Sequence, residues 1–219
     1  WLVLDMWDEA METLSLMSIS IAFSAILGVL LGIAASQSDR LEMIIKPILD
    51  TMQTLPAFIY LIPAFYLFGL GAPGAILATV IYALPPIVRL TNLGIRQVPE
   101  GIDEAATSFG ATRIQSLIKV KIPLAVPAIK LGINQTVMMA LALVVLATFI
   151  GAPGLGEIVL RGMQRLNVGK ALEGGLAIVL MAILFDRVTY AIGHVQRTTV
   201  KGRTHIFHIF PQSLEVFAP

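Results

Sequence analysis

The sequence predicts an all-α integral membrane protein with about five transmembrane helices, on three observations. The chain is 57% hydrophobic and 13% charged, with a mean hydropathy of +0.85, whereas soluble domains carry roughly a quarter charged residues. Its uncharged residues gather into runs long enough to cross a bilayer. Its Lys and Arg residues sort onto alternate sides of those runs.

The charge-free runs 13–38 and 131–156 hold 26 residues each, and a span needs about 20 residues to cross about 30 Å of hydrocarbon. Each fits one helix. The run 51–88 has 38 uncharged residues, which as one helix would be about 57 Å long at ~1.5 Å per residue. It is expected to fold back at 69–74 (GLGAPG), where glycine tolerates left-handed backbone angles and Pro73 cannot continue a helix. That gives spans near 53–69 and 74–90. A last span is expected near 174–193, interrupted by Asp186 and Arg187.

Residues 1–12 carry Asp5, Asp8, Glu9 and Glu12 with no Lys or Arg, and no signal-peptide n-region. With Trp1 in place of Met, an authentic start is expected upstream, together with any helices it carries. Cysteine is absent, which excludes disulfides and thiolate metal sites. No metal, cofactor or nucleic-acid partner is expected. His205 and His208, three apart in the tail, have only Glu215 as an acidic companion and make a poor metal site.

With five spans the termini lie on opposite sides. Arg40, Lys46, Arg89, Arg96, Arg113, Lys119, Lys121, Lys130, Arg187, Arg197, Lys201 and Arg203 fall on one side, against Arg161, Arg165 and Lys170 on the other. The positive-inside rule makes the first side cytoplasmic. The expected organisation is an external segment 1–12, a transmembrane domain 13–193 and a cytoplasmic tail 194–219. Within the domain the loop 91–123 faces the cytosol and the loop 151–173 faces outward.

The cytoplasmic loop is the most informative part. After Pro99, which suits the first position of a helix, Ile102, Ala105, Ala106 and Phe109 recur at i, i+3, i+4 and i+7 and form one apolar stripe. Gly110 and Ala111 break this helix. Thr112 and Gln115 read as a capping box that starts a second one, with Ile114, Leu117, Ile118 and Ile122 on one side and Pro123 ending it. On the residues alone, such a loop either lies on lipid headgroups, with Arg113, Lys119 and Lys121 on anionic lipid, or waits for a soluble partner.

Glu104-Ala105-Ala106, three residues, Gly110, nine residues, then Val120-Lys121-Ile122-Pro123 resembles the EAA motif of ABC importer permeases. Spacing is kept, and Val for Ile and Ile for Leu are the departures. The stretches 50–71, 83–99, 133–169 and 183–193 extend the likeness to the permease subunits of glycine betaine/proline betaine importers, over roughly residues 10–193. The resemblance implies the transmembrane domain of a type I ABC importer, a MetI-like permease core in a bacterial inner membrane. Its implied partners are a second permease copy, two cytoplasmic ATP-binding subunits and an extracytoplasmic substrate-binding protein. It places Glu104, Ala105, Ala106, Gly110, Thr112 and Pro123 in a coupling element that fits a cleft on the ATPase. The sequence contains no G-x-x-x-x-G-K-[ST] loop, so a transport subunit is expected, with ATP chemistry on another chain.

The first four spans carry no deep acidic residue, which disfavours an ion-coupled carrier and suits a solute without net charge. Asn134, Thr136, Met138 and Met139 are the pathway candidates, with hydrogen bonding between helices the alternative for Asn134 and Thr136. Phe58, Tyr60, Phe65, Tyr66, Phe68 and Tyr82 could in principle cage a quaternary ammonium, but interfacial packing is the simpler reading. On the outer loop, Glu157, Arg161 and Arg165 fall at i, i+4 and i+8 of a short helix, either as a solvated face or as a gate touching the binding protein. Rival functions are the same permease role with choline, carnitine, sulfonate or an amino acid as cargo, an ion-coupled carrier or channel, and a membrane scaffold.

Overall fold

A computed structural model describes residues 5–194, and among these every regular element is helical. Helix α1 spans Trp7–Ser36, α2 Asp39–Thr54, α3 Phe58–Phe68 and α4 Ala72–Arg96. Next come α5 (Glu100–Ser108), α6 (Arg113–Ser116) and a π-helical turn (Leu117–Lys121), leading into α7 (Ile122–Leu146). A 3₁₀ turn (Ala147–Ile150), α8 (Leu155–Gln164) and α9 (Val168–His194) complete the described part. The expected tail 194–219, with His205, His208 and Glu215, lies almost wholly outside the described residues.

Four of these stretches are long and apolar enough to cross a membrane: Trp7–Ser36, Ala72–Arg96, Arg113–Ile150 and Val168–Thr189. The pair α2 and α3, whose axes turn by 100° at the break between them, is either a broken fifth span or a re-entrant loop. A single straight span at 53–69 is therefore corrected. Leu55 precedes Pro56, and proline pushes its predecessor out of the helical region; Leu55 sits at φ −73°, ψ 135° and α2 ends at Thr54. By contrast, Pro47, Pro63, Pro85, Pro86 and Pro127 lie inside helices, as neighbouring helices allow in membrane bundles.

The core forms where α4 packs against α1 on one side and α7 on the other. Small residues let the backbones approach. A β-carbon on Gly32 of α1 would stand 2.5 Å from Thr91 Cβ and 2.8 Å from the Val88 carbonyl oxygen of α4, and one on Gly94 would stand 2.6 Å from Ala128 of α7. Hydroxyls add polar ties without charge: Ser24 donates to the Val80 carbonyl at 3.2 Å and Thr136 to the Ala83 carbonyl at 3.0 Å. Leu16, Met17, Val137, Leu141, Leu155 and Met181 form a shared apolar cluster between α1, α7, α8 and α9. Helix α3 seals the far flank, packing Leu61 and Ala64 on Ala75, Ala78 and Leu143.

Candidate functional site

Helix α5 contains no buried residue, so its own apolar burial cannot be what keeps it folded. Acidic Glu100 and Asp103 in its first turn favour the positive end of the helix dipole. The helix ends in three backbone bonds, Phe109 N–H to Ala105 O, Gly110 N–H to Thr107 O and Ala111 N–H to Ala106 O. Gly110 has φ +83°, a left-handed angle that glycine adopts at no steric cost. The chain then re-enters a helix at Thr112, whose side chain accepts the Gln115 N–H while the Gln115 side chain accepts the Thr112 N–H. This reciprocal cap is the one expected from the sequence.

The expected end of the second helix at Pro123 is corrected. The chain runs from Arg113 through α7 without a stop, and Pro123 lies in the first turn of α7. The π turn just before it carries the Ile122 N–H back to the Leu117 carbonyl, five residues away. This shifts the hydrogen-bond register where the proline ring would otherwise meet the preceding turn.

The hairpin and the π turn that follows it carry exposed apolar side chains: Phe109 is 93% exposed, and Ile102, Ile114 and Ile118 are exposed as well. Glu104 and Ala105 are exposed, and Ala106 is partly covered. Arg96 fastens the end of α4 from which the hairpin leaves, and Asp103 ties the hairpin itself; the sequence assigned a structural role to neither. At the entry, Arg96 closes α4 with bonds to Asp39 (2.7 Å), Glu42 (3.2 Å), the Ala35 carbonyl (3.1 Å) and Asn92 (3.1 Å). On the return side, Asp103 accepts from Ser116 Oγ and lies 2.8 Å from Lys121 Nζ. Those two bonds, Lys121 first, hold the Asp103 carboxyl below the usual carboxylate range. Sequence spacing gave no signal for Asp103, because its partners lie beyond the turn.

The pathway candidates do not share a face. Thr136 is 0% exposed and directed at α4, whereas Met138 is 47% exposed on another side of α7. Met139 is half-buried. Asn134 has a buried Oδ1 without a hydrogen-bond partner among the described residues. The aromatics pair off, Tyr60 with Tyr82 and Phe58 with Phe149 at 5.4 Å edge to face, and Phe65 with its neighbour Tyr66. On α8, Glu157 and Arg161 form an ion pair and Arg165 caps the end of the helix, exposed. Asp186 and Arg187 are exposed on α9.

The sequence signature described as "binding-protein-dependent transport system inner membrane component" matches residues 24–198. The chain belongs to that family. Like other members it is an integral component of an inner membrane. It is 50% identical over 192 residues to the glycine betaine/proline betaine transport system permease protein ProW of Escherichia coli K12, covering 88% of this chain and 54% of that protein. It is 47% identical over 186 residues to the glycine betaine transport system permease protein OpuAB of Bacillus subtilis 168, covering 85% and 66% respectively. The chain thus spans about half the length of ProW and about two thirds of OpuAB. Among solved structures, an inward-facing form of the MetNI methionine ABC transporter matches with a TM-score of 0.76 at 22% identity, covering 85% of this chain and 93% of that one. That likeness shows that the two chains share a fold.

Proposed function

We propose that this chain is the transmembrane permease subunit of an ATP-driven, binding-protein-dependent importer of glycine betaine/proline betaine-type osmoprotectants. The observation that carries the reading is the α5–α6 hairpin, a helix without a buried residue that displays Phe109 and follows the EAA spacing. A helix that buries nothing in its own chain is suited to a partner's cleft. The names of the 47–50% identical relatives support the cargo.

In this reading the hairpin faces the cytosol and docks on one of two ATPase subunits, with a second copy of the chain completing the pathway. Ala105 and Ala106 allow close approach, Glu104 offers an exposed carboxylate, Gly110 and Thr112 shape the turn, and Pro123 opens the span that moves. Closure of the ATPase pair displaces the hairpin, and packed helices move as rigid bodies. Asn134, Met138 and Met139 remain pathway candidates, while Thr136 serves as a tie between α7 and α4. Glu157, Arg161 and Arg165 lie on the outer loop, where an extracytoplasmic binding protein would deliver cargo, and the C-terminus is cytoplasmic.

The test is reconstitution with the cognate ATPase and binding protein. Glycine betaine-loaded binding protein should accelerate ATP turnover, and Glu104→Arg or Gly110→Pro should abolish that acceleration without preventing membrane insertion. Unchanged stimulation in both variants would reject the coupling role.

A further inference from the structure

We propose that Asp103 is a positioning residue that staples the coupling hairpin to the base of α7, so that the force received by α5 reaches the span directly and not through the glycine turn. The inference rests on the permease reading above and adds to it a mechanical link that the EAA pattern does not contain.

Helix α5 is joined to the rest of the chain at its far end by the turn at Gly110, a residue with no side chain to restrain it. A lever linked to α7 only by such a hinge would swing without moving that span. The Asp103 carboxylate closes a second connection across 13 residues of chain to Ser116. Its two oxygens go to different places: one accepts from Ser116 Oγ and the other meets Lys121 Nζ at 2.8 Å. Ser116 is 4% exposed and ends α6; Lys121 ends the π turn, next to the first residue of α7.

The staple therefore grips both ends of the π turn, where the helix is widened and its axis most easily bent. With both ends fixed to one carboxylate, α5, α6 and the first turn of α7 behave as one body. Neighbouring Glu104 is exposed. The two adjacent acids divide the work, Glu104 toward the partner and Asp103 inward to its own chain.

The experiment compares wild type with Lys121→Met, Lys121→Arg and Asp103→Asn in the complete reconstituted complex. It reads co-purification with the ATPase and the ratio of ATP turnover with and without glycine betaine-loaded binding protein. Lys121→Met and Asp103→Asn should still co-purify, and their stimulation ratio should fall about fivefold or more, the lower end of coupling between two sites. Lys121→Arg, which keeps the charge and the reach, should restore the ratio. Full stimulation in Lys121→Met, or no rescue by Lys121→Arg, overturns the staple. A wild-type complex that shows no stimulation at all fails the permease reading instead, and the two failures are distinguishable.

Discussion

Thr13 and Leu155, 142 residues apart in sequence, are joined by a buried hydrogen bond in which Thr13 Oγ1 accepts the Leu155 N–H at 2.9 Å. The Thr13 hydroxyl donates in turn to the Glu9 carbonyl at 2.9 Å. One side chain thus supplies the first N–H of α8 with its acceptor and ties that helix to α1. Thr13→Val keeps the shape but leaves a buried donor unpaired, at a cost of about 1–3 kcal/mol. A thermal melt in detergent should fall for Thr13→Val and stay near wild type for Thr13→Ser. Equal melts for the two would show that the hydroxyl is not the tie.

Gly32→Ala should destabilise the bundle by about 1–3 kcal/mol, the usual penalty for overpacking. The added carbon meets the Val88 backbone oxygen at 2.8 Å, and a backbone atom in a packed helix cannot turn aside. Gly175→Ala is the matched control, since nothing lies within 4 Å of its added carbon. The same melt should show a loss for the first and no loss for the second.

Much of this arrangement was legible in the sequence because it depends on local chemistry. The reciprocal cap of Thr112 and Gln115, the left-handed Gly110 and the apolar runs each follow from a few neighbouring residues. The break at Leu55 was missed because hydropathy over 51–88 registers how apolar a segment is and not whether its backbone can stay helical through Pro56. Thr136 is polar inside a span, which marks either a lining or a tie between helices, and the bond to the Ala83 carbonyl supplies the tie that the sequence offered as the alternative. Asp103 was invisible for a related reason: its partners are fixed by how the hairpin folds, not by helical periodicity.

Phe109→Ala should leave folding unchanged, because the ring touches little of its own chain, yet under the proposed coupling role it should weaken ATPase binding. A large exposed aromatic that becomes buried at the centre of an interface is worth about 2 kcal/mol or more, roughly thirtyfold in affinity. Titration of detergent-solubilised permease with ATPase measures this directly. A dissociation constant equal to wild type would remove Phe109 from the contact.

The Asp103 staple should persist in mild acid. Its folded carboxyl is held below the ordinary value by Lys121 and Ser116, so its contribution is complete above the unfolded value of about 3.9 and is lost as pH falls through the lowered folded value. Hydrogen exchange in α5, corrected for intrinsic rate, should show constant protection from about pH 7 to about pH 5, with weaker protection in Asp103→Asn throughout. Protection that declines within that window in the wild type would mean another group holds the hairpin.

The absence of cysteine from the sequence makes one measurement decisive for the hairpin's role. A single Ser108→Cys substitution, at an exposed position at the end of α5, can be challenged with a membrane-impermeant maleimide in sealed vesicles of each orientation, with and without the ATPase. The account predicts labelling only when the cytosolic face is outside, and protection once the ATPase is bound. Labelling from the opposite face, or equal labelling with the ATPase assembled, would contradict it.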